Sequence, residues 1–253
     1  MTEPSQYRLN KFISDTGFCS RRQADKYIEQ GLVTVNGVIA PVGLKVSASD
    51  VVAIQGKPLK DKPTRVYLAY HKPVGVTCTT ERHIKGNIID AIGYPERIFP
   101  IGRLDKPSEG LIFLTNDGDI VNKVLRAGNA HEKEYTVTVN KPITANFIQK
   151  MASGVPVLDT VTLPCRVSQV SKNTFKIILT QGLNRQIRRM TEYLGYDVIK
   201  LKRTRIMHVR LADLRAGQWR LLDKYELAQM EQLVQHSSKT ACDDNSNPQD
   251  IEE

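Results

Sequence analysis

The apolar positions of the chain change period several times before residue 60. Leu9, Phe12 and Ile13, with Thr16 behind them, recur at helical spacing and predict a short amphipathic helix. Ser20 then stands where an N-cap is wanted, ahead of a second helix whose apolar face holds Ala24, Tyr27 and Ile28. Gly31 closes that helix as a left-handed C′ residue. Val33 and Val35 alternate with polar neighbours up to Asn36-Gly37, the strongest short hairpin signal, and VSASDVVAIQG supplies another short strand. The segment from Tyr7 to Lys57 therefore reads as two helices followed by a small β region. From Lys57 to Pro63, two prolines and three lysines oppose both strand and helix, which predicts a linker.

Beyond the linker the pattern is mainly β. RVYLAYHKPVGVTCTT, LIFLT, KEYTVTVN and NTFKIILTQG read as strands, and TEYLGYDVIKLKRTRIMHVRL runs from a helix into strand-like sequence. Helical spacing appears over Ile120–Arg126, Thr144–Gly154 and Arg185–Leu194. Strands with interspersed helices but no regular βαβ repeat predict an α+β fold, with a mixed, largely antiparallel sheet and flanking helices. The expected division is a small N-terminal domain with its linker over 7–62, a larger domain over 63–236 and a tail over 237–253. The tail has few apolar residues and no periodicity, which predicts disorder.

Charge sharpens this division. In 253 residues, 36 Lys and Arg face 27 Asp and Glu, a net of +9. The tail holds five carboxylates against one lysine, a net of −4, which leaves +13 on the rest. So basic a body suits an anionic partner, most simply nucleic acid. The positive residues concentrate in two places: Arg8, Lys11, Arg21, Arg22 and Lys26 in the first domain, and the run from Arg185 to Arg210 in the second. Several classes are excluded. No stretch approaches the ~18–20 consecutive apolar residues of a membrane span. The N-terminus has no apolar signal region. The four cysteines lie far apart and the five histidines form no ligand cluster, so neither a disulfide framework nor a metal site is expected. A reducing cytoplasm is the compartment that fits.

The chemistry is expected around Asp105. In FPIGRLDKPSEGLIFLTNDGD a carboxylate sits on a Pro- and Gly-containing loop that feeds an apolar strand, which would fix it in place yet leave it reachable. Asn116 and Asp117, downstream, read as turn formers.

RLNKFISDTGFCSRRQADKYIEQGLVTVNG resembles the S4 RNA-binding domain. The resemblance implies that Arg8, Lys11, Ser20, Arg21, Arg22 and Lys26 line an RNA face. Arg21 and Arg22 open a helix, where side-chain forks and free backbone N–H groups together suit phosphate. GRLDKPSEGLIFLTNDGD resembles the signature of the RsuA group of pseudouridine synthases, and KEYTVTV and GLNRQIRRM match the group's other two motifs in order. The likeness runs from Tyr7 to about Leu233. LRAGNAHEKEY, QGLNRQIRRM and KRTRIM look most like the F-type branch, which acts on bacterial 23S (large-subunit) ribosomal RNA.

This resemblance implies a reaction without cofactor or metal: the N1–C1′ bond of a uridine breaks, the uracil turns, and C5 rejoins C1′. Asp105 falls on the family's essential aspartate, acting either as nucleophile or by removing a ribose proton. Arg188 falls on the basic residue that pairs with it and favours its charged form. The uridine must leave its stack, at a few kcal/mol. Arg103 matches the side chain that takes the flipped base's place, and Tyr135 the ring that stacks on the uracil. Leu104 and Ile187 form an apolar floor that excludes water. Some relatives carry His at the position of Arg185, so Arg185 is assigned with Arg189 to RNA contact. Lys72-Pro73 and Gly75 match a common KP-x-G turn, read here as structural. The implied partner is ribosomal RNA, the 23S molecule first, met by a cytoplasmic monomer. The alternatives are transfer RNA or small-subunit RNA as substrate, or a non-catalytic RNA-binding ribosome-assembly factor. The joint presence of Asp105, Tyr135 and Arg188 favours the enzyme.

Overall fold

The structure, a computed structural model, describes residues 6–235 and Ser237; the rest of the tail lies outside the described residues. The chain forms two compact units. The first runs to Val66 and takes in Tyr94–Ile98 and Thr115–Gly118; the second holds the remainder.

In the first unit the helical period becomes helices at Leu9–Asp15 and Arg21–Glu29. Leu9 and Ile13 of one and Ala24 and Ile28 of the other meet Val33, Val46, Val52 and Ile54 in a single apolar cluster. Ser20 caps the second helix, its hydroxyl accepting from the Gln23 N–H at 3.1 Å. The strands Val33–Val35 and Val38–Ile39 pair antiparallel across Asn36-Gly37, whose φ values of 51° and 84° are those of a type I′ turn. Asn36 also accepts from the Val51 N–H at 2.9 Å, which ties the hairpin to the Val52–Ile54 strand. Two features differ from expectation. Tyr7–Arg8 is a short strand on Lys45–Val46, ahead of a first helix that starts at Leu9 as its spacing predicts. The expected linker opens as a strand, Lys57–Pro58, on Val52–Ile54; it lies at the sheet edge, where proline's missing donor is tolerated.

The second unit is built on a nine-stranded sheet. Its main path orders Arg166–Ser171, Thr174–Leu179, Lys133–Val139, Val198–Ile206, Glu109–Thr115, Tyr67–Lys72 and Trp219–Leu221. Val209–Arg210 and Phe99–Ile101 attach to the central strands. Most pairs are antiparallel, whereas Val198–Ile206 and Glu109–Thr115 run parallel, with Lys202 opposite Glu109 and Arg203 opposite Gly110. The fold is therefore α+β with a mixed, largely antiparallel sheet and flanking helices. Two apolar clusters serve its two halves. Leu111, Phe113, Ile120, Val124, Met230 and Val234 belong to one; Val137, Phe147, Met151, Phe175, Ile187 and Met190 belong to the other. The parallel strand pair joins these halves, and the loop carrying Asp105 enters there.

The expected helices stand at Gly118–Leu125, Ala145–Ser153 and Gln186–Tyr193. Thr144 is a true N-cap, accepting from the Phe147 N–H at 3.1 Å. Two helices, Ile88–Ile92 and Lys224–Gln235, were not anticipated. The second buries Met230 and Val234 at an i, i+4 spacing that is visible in KYELAQMEQLVQ.

Candidate active site

The loop between Phe99–Ile101 and Glu109–Thr115 folds back on itself, the Ser108 N–H donating to the Asp105 carbonyl at 2.9 Å. It is clipped from outside at several points. Lys72, the last residue of an entirely buried strand and itself 0% exposed, donates from Nζ to the Ser108 carbonyl at 2.8 Å and to Pro73 at 3.0 Å. Lys106 accepts from the Gly75 N–H at 2.8 Å, and the Leu104 N–H donates to Cys78 Sγ at 3.4 Å. Burial lowers the proton affinity of Lys72, with Cys78 and Asp105 opposing that shift. The KP-x-G segment is thus more than a turn: its lysine and glycine hold the Asp105 loop. The signal was legible in principle, because a lysine ending a strand as apolar as YLAYH must find buried acceptors.

Asp105 presents a one-third exposed carboxylate between two arginines. Its Oδ2 lies 3.6 Å from Arg188 Nε and 3.7 Å from Arg185. Arg188 is 13% exposed and oriented by its other nitrogens, which donate to Ser108 Oγ at 3.0 Å, to the Pro107 carbonyl at 3.3 Å and to the Val198 carbonyl at 3.4 Å. Its Nε is buried without a hydrogen-bond partner among the described residues, directed at the carboxylate but beyond bonding distance. Burial pulls the Arg188 pKa down and Asp105 works against it. Arg185 is the N-cap of Gln186–Tyr193 in a left-handed conformation, φ 48° and ψ 31°, unusual for a residue with a side chain.

Arg103, Leu104, Asp105, Tyr135, Arg185, Ile187 and Arg188 line one open cleft. Leu104 and Ile187 are buried in its floor with Leu179 and Leu201, and Tyr135 is half-buried in its wall. Arg103 is exposed. Arg189 does not line the cleft; two of its donors bond the Asn184 carbonyl and side chain at 3.1 and 3.2 Å.

In the first unit Arg8, Arg21, Arg22 and Lys26 are exposed, whereas Lys11 is half-buried and paired with Asp15 at 2.8 Å. The Ser20 hydroxyl is engaged as a helix cap. The run from Arg185 to Arg210, expected to act together, is divided by the fold. Arg203 is buried, and Arg205 pairs with Glu132 at 2.9 Å and Glu134 at 3.5 Å. Alternation along Val198–Ile206, interrupted by a bulge against Glu134 and Tyr135, turns these arginines to different neighbours.

The S4 domain profile matches residues 8–52, and the RNA pseudouridylate synthase profile matches residues 66–193. The chain is 54% identical over 243 residues to the dual-specificity RNA pseudouridine synthase RluF of Salmonella typhi, covering 95% of this chain and 84% of that one. It is 35% identical over 239 residues to the ribosomal large subunit pseudouridine synthase B of Bacillus subtilis, covering 90% of this chain and 97% of that one. A crystal structure of a pseudouridylate synthase matches with a TM-score of 0.65 at 28% identity, covering 89% of this chain and 99% of that one. The motifs around Asp105, Tyr135 and Arg188 thus lie in a matching sequence and a matching fold: the chain belongs to the RNA pseudouridylate synthase family and carries an S4 domain ahead of its synthase domain.

Proposed function

We propose that the protein isomerises a uridine of 23S ribosomal RNA to pseudouridine, with Asp105 as the catalytic residue. The observation that carries this reading is the clipped loop, which holds a reachable carboxylate between Arg185 and Arg188 over an apolar floor. A carboxylate so placed is positioned for attack at the sugar or for proton removal from it. The ribose–N1 bond breaks, the uracil stays in the cleft against Tyr135, and C5 bonds C1′ while the C5 proton is lost and N1 gains one. No atoms are exchanged overall. Arg103, exposed two residues before Asp105, fills the gap left by the extruded base.

In this reading residues 7–62 form a docking arm that grips structured RNA through Arg8, Arg21, Arg22 and Lys26, and residues 63–236 perform the reaction. Large-subunit RNA is favoured because a relative is named for the ribosomal large subunit. The name of the 54% identical relative, a dual-specificity enzyme, favours a second RNA as well, and transfer RNA is the one to test. The protein works as a monomer in the cytoplasm, where that RNA is found; among the described residues no helix is long and apolar enough to cross a membrane.

The test maps pseudouridines in ribosomal and transfer RNA by chemical labelling and primer extension, with wild type and Asp105→Asn. The expected result is a wild-type-dependent site in 23S RNA that the variant does not make. Modification by Asp105→Asn at the wild-type level refutes the catalytic assignment. Modification confined to small-subunit RNA refutes the target.

A further inference from the structure

Three basic side chains lie buried on strands of the large sheet: Lys72, 0% exposed; Lys133, 6%; and Arg203, 5%, the last two on adjacent strands. Lys72 and Lys133 are met by backbone carbonyls, not by carboxylates. Arg203 donates from Nε to the Leu111 carbonyl at 2.6 Å, and one of its terminal nitrogens is buried with no partner among the described residues. The unpartnered part of the Arg203 guanidinium is costly to bury. Its retention calls for an anionic group that arrives later.

The position of Arg203 says where that group would be. It stands opposite Tyr135 in one register and opposite Gly110, at the start of the strand leaving the Asp105 loop, in the other. Its guanidinium carbon lies 5.9 Å from the centre of the Tyr135 ring, within cation–π range. On the other side the backbones nearly touch: a Cβ on Gly110 would sit 2.3 Å from the Arg203 carbonyl oxygen, and φ there is +117°. Arg203 therefore links the strand of the stacking ring to the strand of the reacting loop.

We propose that Arg203 is a positioning residue for the isomerisation: it seats Tyr135 against the cleft and sets a fixed positive charge behind the ring on which the uracil rests. The proposal rests on the reading of Tyr135 and Asp105 above. When the N1–C1′ bond breaks, its electron pair leaves with the base, whether Asp105 attacks the sugar or removes a proton from it. Negative charge then spreads over the uracil ring until C5 returns that pair to C1′. A buried, preorganised cation stabilises this charge more than it stabilises neutral bound uridine, so its effect falls on the rate of reaction and not on binding.

The experiment compares wild type, Arg203→Met, Arg203→Lys, Tyr135→Leu, the Arg203→Lys/Tyr135→Leu double variant and Asp105→Asn under single-turnover conditions on a 23S RNA fragment. RNA affinity and its salt dependence are measured in parallel. Arg203→Met is expected to bind within about threefold of wild type with an unchanged salt slope, because Arg203 touches no phosphate, and to react ten- to a hundredfold more slowly, a loss on the scale of removing one preorganised donor. Arg203→Lys should recover part of that loss. Wild-type rate in Arg203→Met, equal rates in Arg203→Met and Arg203→Lys, or a shallower salt slope each overturn the proposal. Should Arg203→Met fail to fold, Arg203→Lys decides: its effect must shrink at least threefold in the Tyr135→Leu background, and an undiminished effect overturns the proposal. An active Asp105→Asn defeats the underlying reading instead, whereas an inactive Asp105→Asn beside an unimpaired Arg203→Met defeats only this inference.

Discussion

Lys133 makes the electrostatics of the sheet measurable. It is 6% exposed on the strand of Tyr135, and burial, with the Arg203 charge second, lowers its pKa from 10.5 to about 8. The unfolded chain therefore holds this proton more tightly than the folded one. Between about pH 8 and 10.5 the unfolded state binds more protons, so stability rises with pH in that window. Below it both states are protonated and the full penalty stands, on the order of 3 kcal/mol for the gap between the two pKa values. Most of it is gone by pH 10, so the wild type should gain about 2–3 kcal/mol between pH 7 and 10 relative to Lys133→Met. The subtraction cancels the titrating groups that do not feel Lys133; His131, which does, has its pKa lowered from 6.5 and so lies below this window. The assay is urea unfolding at several pH values, followed by the fluorescence of Trp219, the single tryptophan, which lies in the same compact unit. Because Lys133 also reaches the His131 and Thr180 carbonyls, at 3.3 and 3.5 Å, the absolute stability of the variant is less informative than the slope. Parallel pH profiles for the two proteins would refute the argument, since they would mean that Lys133 titrates alike in both states.

Lys72→Met should release the Asp105 loop. Carbonyls left without their donor cost about 1–3 kcal/mol each, hydrogen exchange at Gly75 and Ser108 should quicken, and turnover should fall at least about tenfold. Wild-type turnover with unchanged exchange would exclude the clip. Arg185→Gly removes a left-handed non-glycine conformation together with a cation 3.7 Å from Asp105. Thermal stability should change by less than about 1 kcal/mol, because relief of strain offsets the added freedom of glycine, while turnover falls. An active Arg185→Gly would make the ion pair incidental. Replacing Arg21 and Arg22 together with Ala should weaken RNA binding and reduce the slope of log affinity against log salt by about 1–2. An unchanged slope would remove the first domain from phosphate contact.

Most of the frame was legible in the sequence because local signals and the fold agreed. Ser20, Thr144 and Asn36-Gly37 act locally, and each does what its chemistry requires wherever the neighbouring strand lies. The loop carrying Asp105 was legible as a Pro- and Gly-containing connection into an apolar strand, whereas its assignment to chemistry came from the resemblance of GRLDKPSEG to a known signature. What could not be read depends on pairings distant along the chain. Tyr7–Arg8 becomes a strand only because Lys45–Val46 offers it a partner. Lys57–Pro58 joins an edge that exists only after the hairpin has formed. Arg203 looks like a surface residue in sequence and is buried against a carbonyl 92 positions away; the burial of Lys72 could be read from YLAYH, but not its acceptor some 36 positions away. Arg205 escaped for the same reason, since its carboxylates, Glu132 and Glu134, lie on the neighbouring segment of the sheet, Glu132 some 73 positions away in sequence.

This division of the arginines and lysines bears on what the net charge means. A count of basic residues treats each as a potential phosphate contact, and the salt dependence of binding would then be steep. The fold assigns them differently. Lys72, Lys133 and Arg203 are buried, and Lys11, Arg205 and Arg220 are held by carboxylates at 2.8, 2.9 and 2.6 Å. Arg188 is turned to Asp105 and Ser108. A charge already paired releases few counterions on meeting RNA, and a buried one releases none. The salt slope should therefore follow the exposed residues Arg8, Arg21, Arg22, Lys26, Lys200 and Arg210, and not the formal total. Substituting a buried cation should alter rate or stability at constant slope, and substituting one of these six should alter slope at constant rate. The two classes are separable in the same titration. A buried residue that changed the slope would show that the chain opens on RNA, exposing charge that the free protein keeps inside.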